Sequence, residues 1–480
     1  MAAMRDDEGD DHLPIDFGPV SNGEYLPLPL SPVARATIRR TRDVVDRDAR
    51  RLGMSRRAFL RTSMATATML LVLDGCSSEE RASRGKPAGG RLRIPEETTT
   101  TPTVPPADFV MDVQTHFLDF TEHPDAHDFG STFPQAACGD ADSRLCFSID
   151  HYLEEVFLRS DTSLAVVSAI PIAPEDNALT IDDMEHMRRI AERLCADQRI
   201  LIQGQALPTY GPLDAQLAAM DTLVAQHDIA AWKVYTHAPG RGWFFDDHDA
   251  SLPQVGNAFL DKVRDVGPPI VSVHKGLAQD SPFASPVDIG PAAKAHPNIS
   301  FVVYHSGYDT THREGPYNPD GRGVDRLVRS LREAGIGPSA NVYAELGSTW
   351  YLVMRDLDAA AHTLGKLLLA VGPDNVVWGT DSIWYGSPQP QIDAFRAFEI
   401  TPEYQESYGY PALTVDVKRK ILGGNAAALY GVEPISTKCE FSPADIAAAR
   451  QALPARRASY GPRTARAARA LARDHGWIGF

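Results

Sequence analysis

From residue 108 onward the chain alternates short runs rich in Val and Ile with longer stretches whose apolar residues recur at three- and four-residue intervals. Runs that are apolar on both faces suit parallel strands covered by helices, and the wider spacing is that of amphipathic helices. The pattern predicts strands over 109–114, 164–170, 200–206, 230–235, 270–274, 300–305, 341–346 and 376–380. Helices are predicted between them over 182–196, 213–226, 256–266, 324–334 and 358–370, with 389–398 after the eighth strand. Eight strands with intervening helices in about 320 residues fit a (β/α)8 TIM barrel. A doubly wound open sheet is the alternative, but it usually carries a glycine-rich first turn, and neither G-x-G-x-x-G nor G-x-x-x-x-G-K-[ST] follows any of these strands. Two long insertions, 117–161 and 306–322, follow the first and sixth strands. In a barrel both lie on the rim where chemistry is done, so they are candidate substrate-shaping loops.

The hundred residues before the barrel read differently. Residues 34–61 carry ten arginines against three aspartates, and 446–480 carry seven arginines against Asp474. Both stretches read as helices with solvated faces, with contact to an anionic membrane or a partner as the other reading. Ser55-Arg56-Arg57-Ala58-Phe59-Leu60-Arg61, followed by the small and apolar 62–73, resembles a twin-arginine export signal. Leu73-Asp74-Gly75-Cys76 resembles a lipoprotein cleavage box, although Asp74 is unusual at its place. Some 54 residues precede the arginine pair, so either translation starts at Met54 or the arginines belong to a basic helix and the protein stays in the cytoplasm. The expected division is a basic, flexible leader (1–54), a signal-like segment (55–76), a flexible tether (77–107), the barrel (108–432) and a basic helical tail (433–480). The tether is expected because 77–106 is rich in Ser, Arg, Gly, Thr and Pro and has little to bury.

The overall charge of −16 argues against a general nucleic-acid binder, since phosphate contacts need a cationic face. No apolar run in the body reaches the length of a spanning helix. None of the five cysteines forms a C-x-x-C pair, which leaves a thiolate zinc site without support. Cys138 and Cys146 are close enough to join a short loop, and two separate thiols are the equal alternative.

Ionisable residues fall at the same end of several strands. Gln114 and His116 end the first, Lys233 lies on the fourth, His274 ends the fifth, His305 ends the sixth, and Asp381 closes the eighth. Taken singly, a histidine at a strand end is more often a hydrogen-bonded loop residue than a ligand. Together, on one barrel rim, imidazoles and a carboxylate make a site for Zn²⁺, Mn²⁺ or Fe²⁺. Glu345, at the end of the seventh strand, is a further candidate for substrate contact or for support, and Tyr235, Tyr308, Trp350, Tyr351, Trp384 and Tyr385 crowd the same rim.

This order, with Lys420-Ile-Leu-Gly-Gly-Asn-Ala-Ala-Ala-Leu-Tyr430 closing it, resembles the amidohydrolase superfamily, in particular its branch of metal-dependent hydrolases and non-oxidative decarboxylases. The resemblance spans 108–432. It implies that His116, His274 and Asp381 ligate a divalent metal, with Asp381 also handling the proton of the attacking water. It implies that His305 is a second-metal ligand or a proton donor, and that Lys233 matches a lysine that some members carbamylate to bridge two metals. Gln114 departs from the pattern by standing where the first histidine belongs. An amide oxygen ligates more weakly, so one ion, zinc first, is expected rather than two. The expected function is hydrolysis of a small organic amide, ester or lactone by metal-activated water. Metal-dependent decarboxylation on the same scaffold is the alternative, and a non-catalytic binding protein with a degenerate site is the reading from another class. The partner implied is a small molecule; oligomeric state stays open.

Overall fold

The computed structural model describes residues 13–18, 20–60, 62–93, 109–126, 143–195, 198–278 and 281–434. Ten strands run in chain order: β1 (Gly90–Leu92), β2 (Val110–Thr115), β3 (Thr162–Val167), β4 (Ile200–Gln205), β5 (Ala231–Tyr235), β6 (Ile270–His274), β7 (Ser300–Tyr304), β8 (Val342–Glu345), β9 (Val376–Val377) and β10 (Phe398–Ile400). β2 to β9 pair in sequence order, each parallel to the next. A parallel bridge between Thr115 and Ser382 closes the ring, with Val113 N donating to Trp378 O (3.0 Å) and Asp381 N to Gln114 O (2.9 Å). The (β/α)8 TIM barrel is therefore the fold, and all eight barrel strands overlap the runs the hydrophobic pattern marks, with β2 running one residue past its run and β3 beginning two residues before its own.

The alternation within each strand decides what faces inward. On β6, Val271 and Val273 pack outward against the helices, while Ile270 joins the inner cluster with Val302, Tyr304 and Val377. Ser272 and His274 share the phase of Ile270, and so His274 reaches the rim on the inside. The covering helices include Ile181–Cys195, Leu213–Gln226, Gly256–Val266, Asp325–Ala334 and Leu357–Val371, close to the predicted spans. The last begins where Asp356 accepts from Ala359 N, an N-cap that satisfies an otherwise orphaned donor. A further helix, Ile289–Ala295, escapes the periodicity reading because Gly290 and Pro291 interrupt a seven-residue segment.

The N-terminal region departs from the expectation of a flexible leader and tether. Ile15, Phe17, Val20 and Tyr25 are buried, since a few apolar residues scattered among Pro, Gly and Asp suffice to dock an extended chain on the barrel mouth. The helix Pro32–Arg51 turns Ala34, Thr37, Thr41, Val45 and Ala49 inward, one face at i, i+3 and i+4 spacing, and leaves its arginine-rich face solvated. The signal-like segment continues into the helix Ser63–Ser83, which runs past Cys76 into the expected tether and buries Met69, Leu70, Leu73 and Cys76. Among the described residues no helix is long and apolar enough to cross a membrane. Asp74 accepts from Leu92 N (2.7 Å), which ties this helix to β1. β1 in turn pairs antiparallel with β10, and a buried Arg81–Asp358 ion pair anchors the helix to Leu357–Val371. Cys138 and the basic tail from 435 onward lie outside the described residues.

Behind the rim, Gly379 sits where a side chain has no room: an added Cβ would overlap Glu345 Oε1 and lie 3.3 Å from Gln114 Cβ. Gly379→Ala is expected to lower stability by about 1–3 kcal/mol, the usual cost of overpacking, measured by chemical denaturation. An unchanged midpoint would show that Glu345 moves aside freely.

Candidate active site

Seven side chains anticipated from the sequence meet on the C-terminal rim of the barrel. Gln114 and His116 come from the end of β2, Lys233 from β5, His274 from β6, His305 from the turn after β7, Glu345 from β8 and Asp381 from the turn after β9, and none is more than 2% exposed. The register of β2 against β3 shifts between Asp112 and Thr115, the stretch that carries Gln114; such irregularities re-aim side chains at barrel rims. His305 (φ 65°), Ser306 (50°), Ser348 (53°) and Asp381 (59°) all lie in the left-handed region. Strain of about 1–3 kcal/mol per residue gathered at one rim marks a site where geometry is held against local preference.

Hydrogen bonds fix which atoms face one another. His116 Nδ1 lies 2.6 Å from Ser168 O, so this nitrogen carries the proton and Nε2 faces Asp381 Oδ1 at 3.3 Å. His305 Nδ1 likewise donates to Gly347 O (2.7 Å), leaving Nε2 free to face His274 Nδ1 at 3.2 Å. The Gln114 amide nitrogen stands between these pairs, donating to Asp381 Oδ1 (3.1 Å) and lying 3.3 Å from His305 Nε2. Asp381 also accepts from Ser348 Oγ (2.5 Å), Trp384 Nε1 (3.1 Å) and Asn22 Nδ2 (2.9 Å). Burial alone would raise its pKa, but the His116 contact, the neighbouring imidazoles of His305 and His116 and the Ser348 hydrogen bond hold it below the ordinary carboxylate value. Burial pushes His305 down to about 4 and His274 well below the usual histidine range, which keeps both rings neutral and available as ligands or acceptors.

The remaining wall comes from the leader. The turn Ser21-Asn22-Gly23-Glu24 enters the mouth with Gly23 at φ 94°, a conformation that favours glycine. Gly23 N donates to Ser21 Oγ and Glu24 N to Asn22 Oδ1, both at 3.0 Å. Tyr25 OH reaches Tyr385 OH (3.1 Å), which itself bonds Ser348 Oγ (2.6 Å). Glu24 Oε1 then lies 3.2 Å from His274 Nε2. Burial, followed by the charge of Asp381, raises the Glu24 pKa to about 8. Sequence reading missed Asn22, Glu24, Tyr25 and Ser348 and left His237 unassigned; the available signal was Asn22-Gly23, a turn pair flanked by apolar Val20 and Tyr25.

Lys233 and Glu345 differ in what surrounds them. Lys233 Nζ is buried without a hydrogen-bond partner, 3.7 Å from the Tyr304 ring centroid and 4.4 Å from that of Tyr235. Burial lowers its pKa to about 7 against the attraction of Asp381, Glu24 and Glu345. Glu345 accepts from His305 N (2.9 Å) and from Gly347 N, so its carboxylate holds the two rim loops in place. Of the aromatic residues, Tyr235 stacks on His274, Trp384 on His116 and Tyr351 on Tyr385, whereas Trp350 packs against Phe395 and Phe398 on the outer side. Lys275 is engaged elsewhere, paired with buried Asp288 at 2.8 Å.

The donor set fits a divalent cation. His116 Nε2 against Asp381 Oδ1, and His274 Nδ1 against His305 Nε2, are close approaches between groups that each offer a lone pair unless a proton or a cation lies between them. Neutral imidazoles with a carboxylate are borderline ligands of the kind Zn²⁺, Mn²⁺ and Fe²⁺ accept.

A family model described as amidohydrolase matches residues 111–432. No curated protein matches the chain. Among solved structures, an uncharacterised TIM-barrel protein from Bordetella bronchiseptica is similar over 67% of this chain and 99% of its own, at 13% identity and a TM-score of 0.43. A 5-carboxyvanillate decarboxylase from Sphingomonas paucimobilis is similar over 68% and 100%, at 15% identity and a TM-score of 0.38. A 2,6-dihydroxybenzoate decarboxylase from Rhizobium is similar over 67% and 98%, at 14% identity and a TM-score of 0.39.

Proposed function

Because the chain belongs to the amidohydrolase family, a family of metal-dependent enzymes, we propose that it is a hydrolase acting on a small organic amide, ester or lactone, with His116, His274, Asp381 and Gln114 as the candidate ligands of one divalent ion, zinc first. The observation that supports this most is the meeting of buried His116 with neutral His274 and His305 and ionised Asp381 on one rim. When bound, such an ion lowers the pKa of water towards neutrality and polarises a carbonyl. Asp381 is the general base, its charge maintained by Ser348, Trp384 and Asn22. His305 Nε2 faces the site as a lone-pair acceptor while Nδ1 keeps its proton and donates to Gly347 O; it serves the leaving group only after taking up a proton at Nε2. Tyr235, Trp384 and Tyr385 give a flat, partly apolar substrate its walls. The twin-arginine-like segment at 55–61 is a proposed export address.

Lys233 favours a second reading, loss of CO₂ from an organic acid, since a buried amine with no partner suits a substrate carboxylate. The two reactions leave different products. On a panel of small aryl esters, lactones, amides and aryl carboxylic acids, the proposal expects acid release under pH-stat, abolished by a chelator and restored by Zn²⁺ or Mn²⁺. Evolution of CO₂ without hydrolysis would replace it with the second reading. Turnover that persists in the metal-free protein would remove both.

A further inference from the structure

The structure carries a grouping that the barrel alone does not supply. Glu24, His237 and His274 each offer a ligand atom, and these atoms all lie within 4.8 Å of one another. They arise from three unrelated places: the turn in the leader, the loop after β5 and the end of β6. His237 Nδ1 is buried and has no hydrogen-bond partner, and Lys233 Nζ, fully buried beside the same wall, has none either. Tyr235 stacks on His274 at 5.1 Å between ring centroids and meets His237 edge-on at 5.9 Å, which fixes both imidazoles.

The opposite wall explains why a ligand from outside the barrel is useful. Gln114 contributes no charge, and its amide nitrogen already fills the gap between Asp381 Oδ1 and His305 Nε2. Hydrogen bonds from Gln114 thereby do on that side what a cation would do. Asp381 is then the only carboxylate among the anticipated ligands, and a single carboxylate leaves a dication half neutralised. Glu24 supplies a second carboxyl group, which a bound cation would hold ionised against the rise that burial causes. Asn22 couples the two, donating through Nδ2 to Asp381 Oδ2 (2.9 Å) and to Glu24 Oε2 (2.7 Å). The turn is also held too firmly for an accidental contact: Ser21 is fully buried, and Tyr25 is tied into the Tyr385–Ser348–Asp381 chain.

We propose that the leader completes the metal site, with Glu24, His237 and His274 as ligands of a divalent cation at the barrel mouth. The proposal rests on the metal-dependent reading above and adds two ligands to it. His274 Nε2 faces Glu24 Oε1 at 3.2 Å and also lies 3.1 Å from Gly276 O, while its Nδ1 faces His305 Nε2 at 3.2 Å.

The test is metal affinity of the full chain, measured by calorimetric titration of the metal-free protein with Mn²⁺ and with Zn²⁺, and by elemental analysis of the dialysed product. Wild type is expected to hold one ion per chain, and Glu24→Gln and His237→Ala to bind at least about tenfold more weakly, the lower end of what altered metal surroundings cost. Glu24→Gln changes no shape, and a melting temperature equal to wild type in chelator shows that the fold is intact. Glu24→Asp, which keeps the charge, is expected to recover part of the affinity. Unchanged affinity in Glu24→Gln and His237→Ala, with loss in His116→Ala, overturns the inference and leaves the family-type site standing. Absence of binding of either metal by wild type overturns the metal-dependent reading itself.

Discussion

Asp381→Asn is expected to reduce turnover by roughly 100- to 10,000-fold, the range associated with removal of a general base. Four donors converge on this carboxylate, from Ser348, Asn22, Trp384 and Gln114, and all of them require an acceptor. Asparagine keeps the size of the side chain but replaces one acceptor oxygen by an NH₂ group that meets a donor head-on, and it cannot take a proton from water. The rate is read on whichever substrate of the panel is hydrolysed, together with thermal melting to separate chemistry from folding. Turnover within a few-fold of wild type in a folded variant would assign the base elsewhere, with Glu24 as the nearest other carboxylate facing His274.

The second large effect concerns stability rather than the chemistry. Lys366, on the helix Leu357–Val371, donates at 2.6 Å both to Glu314 in the 306–322 insertion and to Asp325 at the start of the helix Asp325–Ala334. All three are at most 3% exposed. Lys366→Met leaves two buried carboxylates facing each other without a cation, and a buried charge stripped of its partner costs about 3–5 kcal/mol. The chemical-denaturation midpoint should fall accordingly. Lys366→Met combined with Glu314→Gln and Asp325→Asn should recover most of the loss, because it removes the stranded charges. A single variant as stable as wild type would mean that water reaches the triad. Within the same insertion Arg322 pairs with Asp309 (2.7 Å).

The barrel was legible because parallel strands buried on both faces must be written in long apolar runs, and because histidines and carboxylates gather toward one end of those runs. His116, Lys233, His274, His305 and Asp381 were found as ionisable residues in or just past those runs. Glu345 was placed at the right rim, but its part in holding His305 N and Gly347 N depends on backbone geometry that spacing does not encode. The leader was misread because composition reports how much a segment can bury and not where it docks. Ile15, Phe17, Val20 and Tyr25 are too few and too irregular for a periodic pattern, yet the barrel mouth supplies the other half of their burial. Asp74 shows the same limit from the other side. As a deviation from a lipoprotein box it looked anomalous, and in the fold it accepts a hydrogen bond from Leu92 N.

That docking bears on the proposed export. Processing before Cys76 would remove Asn22, Glu24 and Tyr25 together, so export and a leader-completed metal site are compatible only if the leader is not cut there. Mass measurement of the native protein reads this directly: a chain that begins at Cys76 carries no Glu24.

The central claim is that a divalent cation is held at the barrel mouth among His116, His274 and Asp381. Crystals of the full chain grown with Mn²⁺ and measured for anomalous scattering test it most directly. The account predicts one strong peak inside the rim, in contact with His274 and enclosed by the Gln114–Asp381 wall and the leader turn. A mouth without a peak, in crystals whose other features are well ordered, would contradict it.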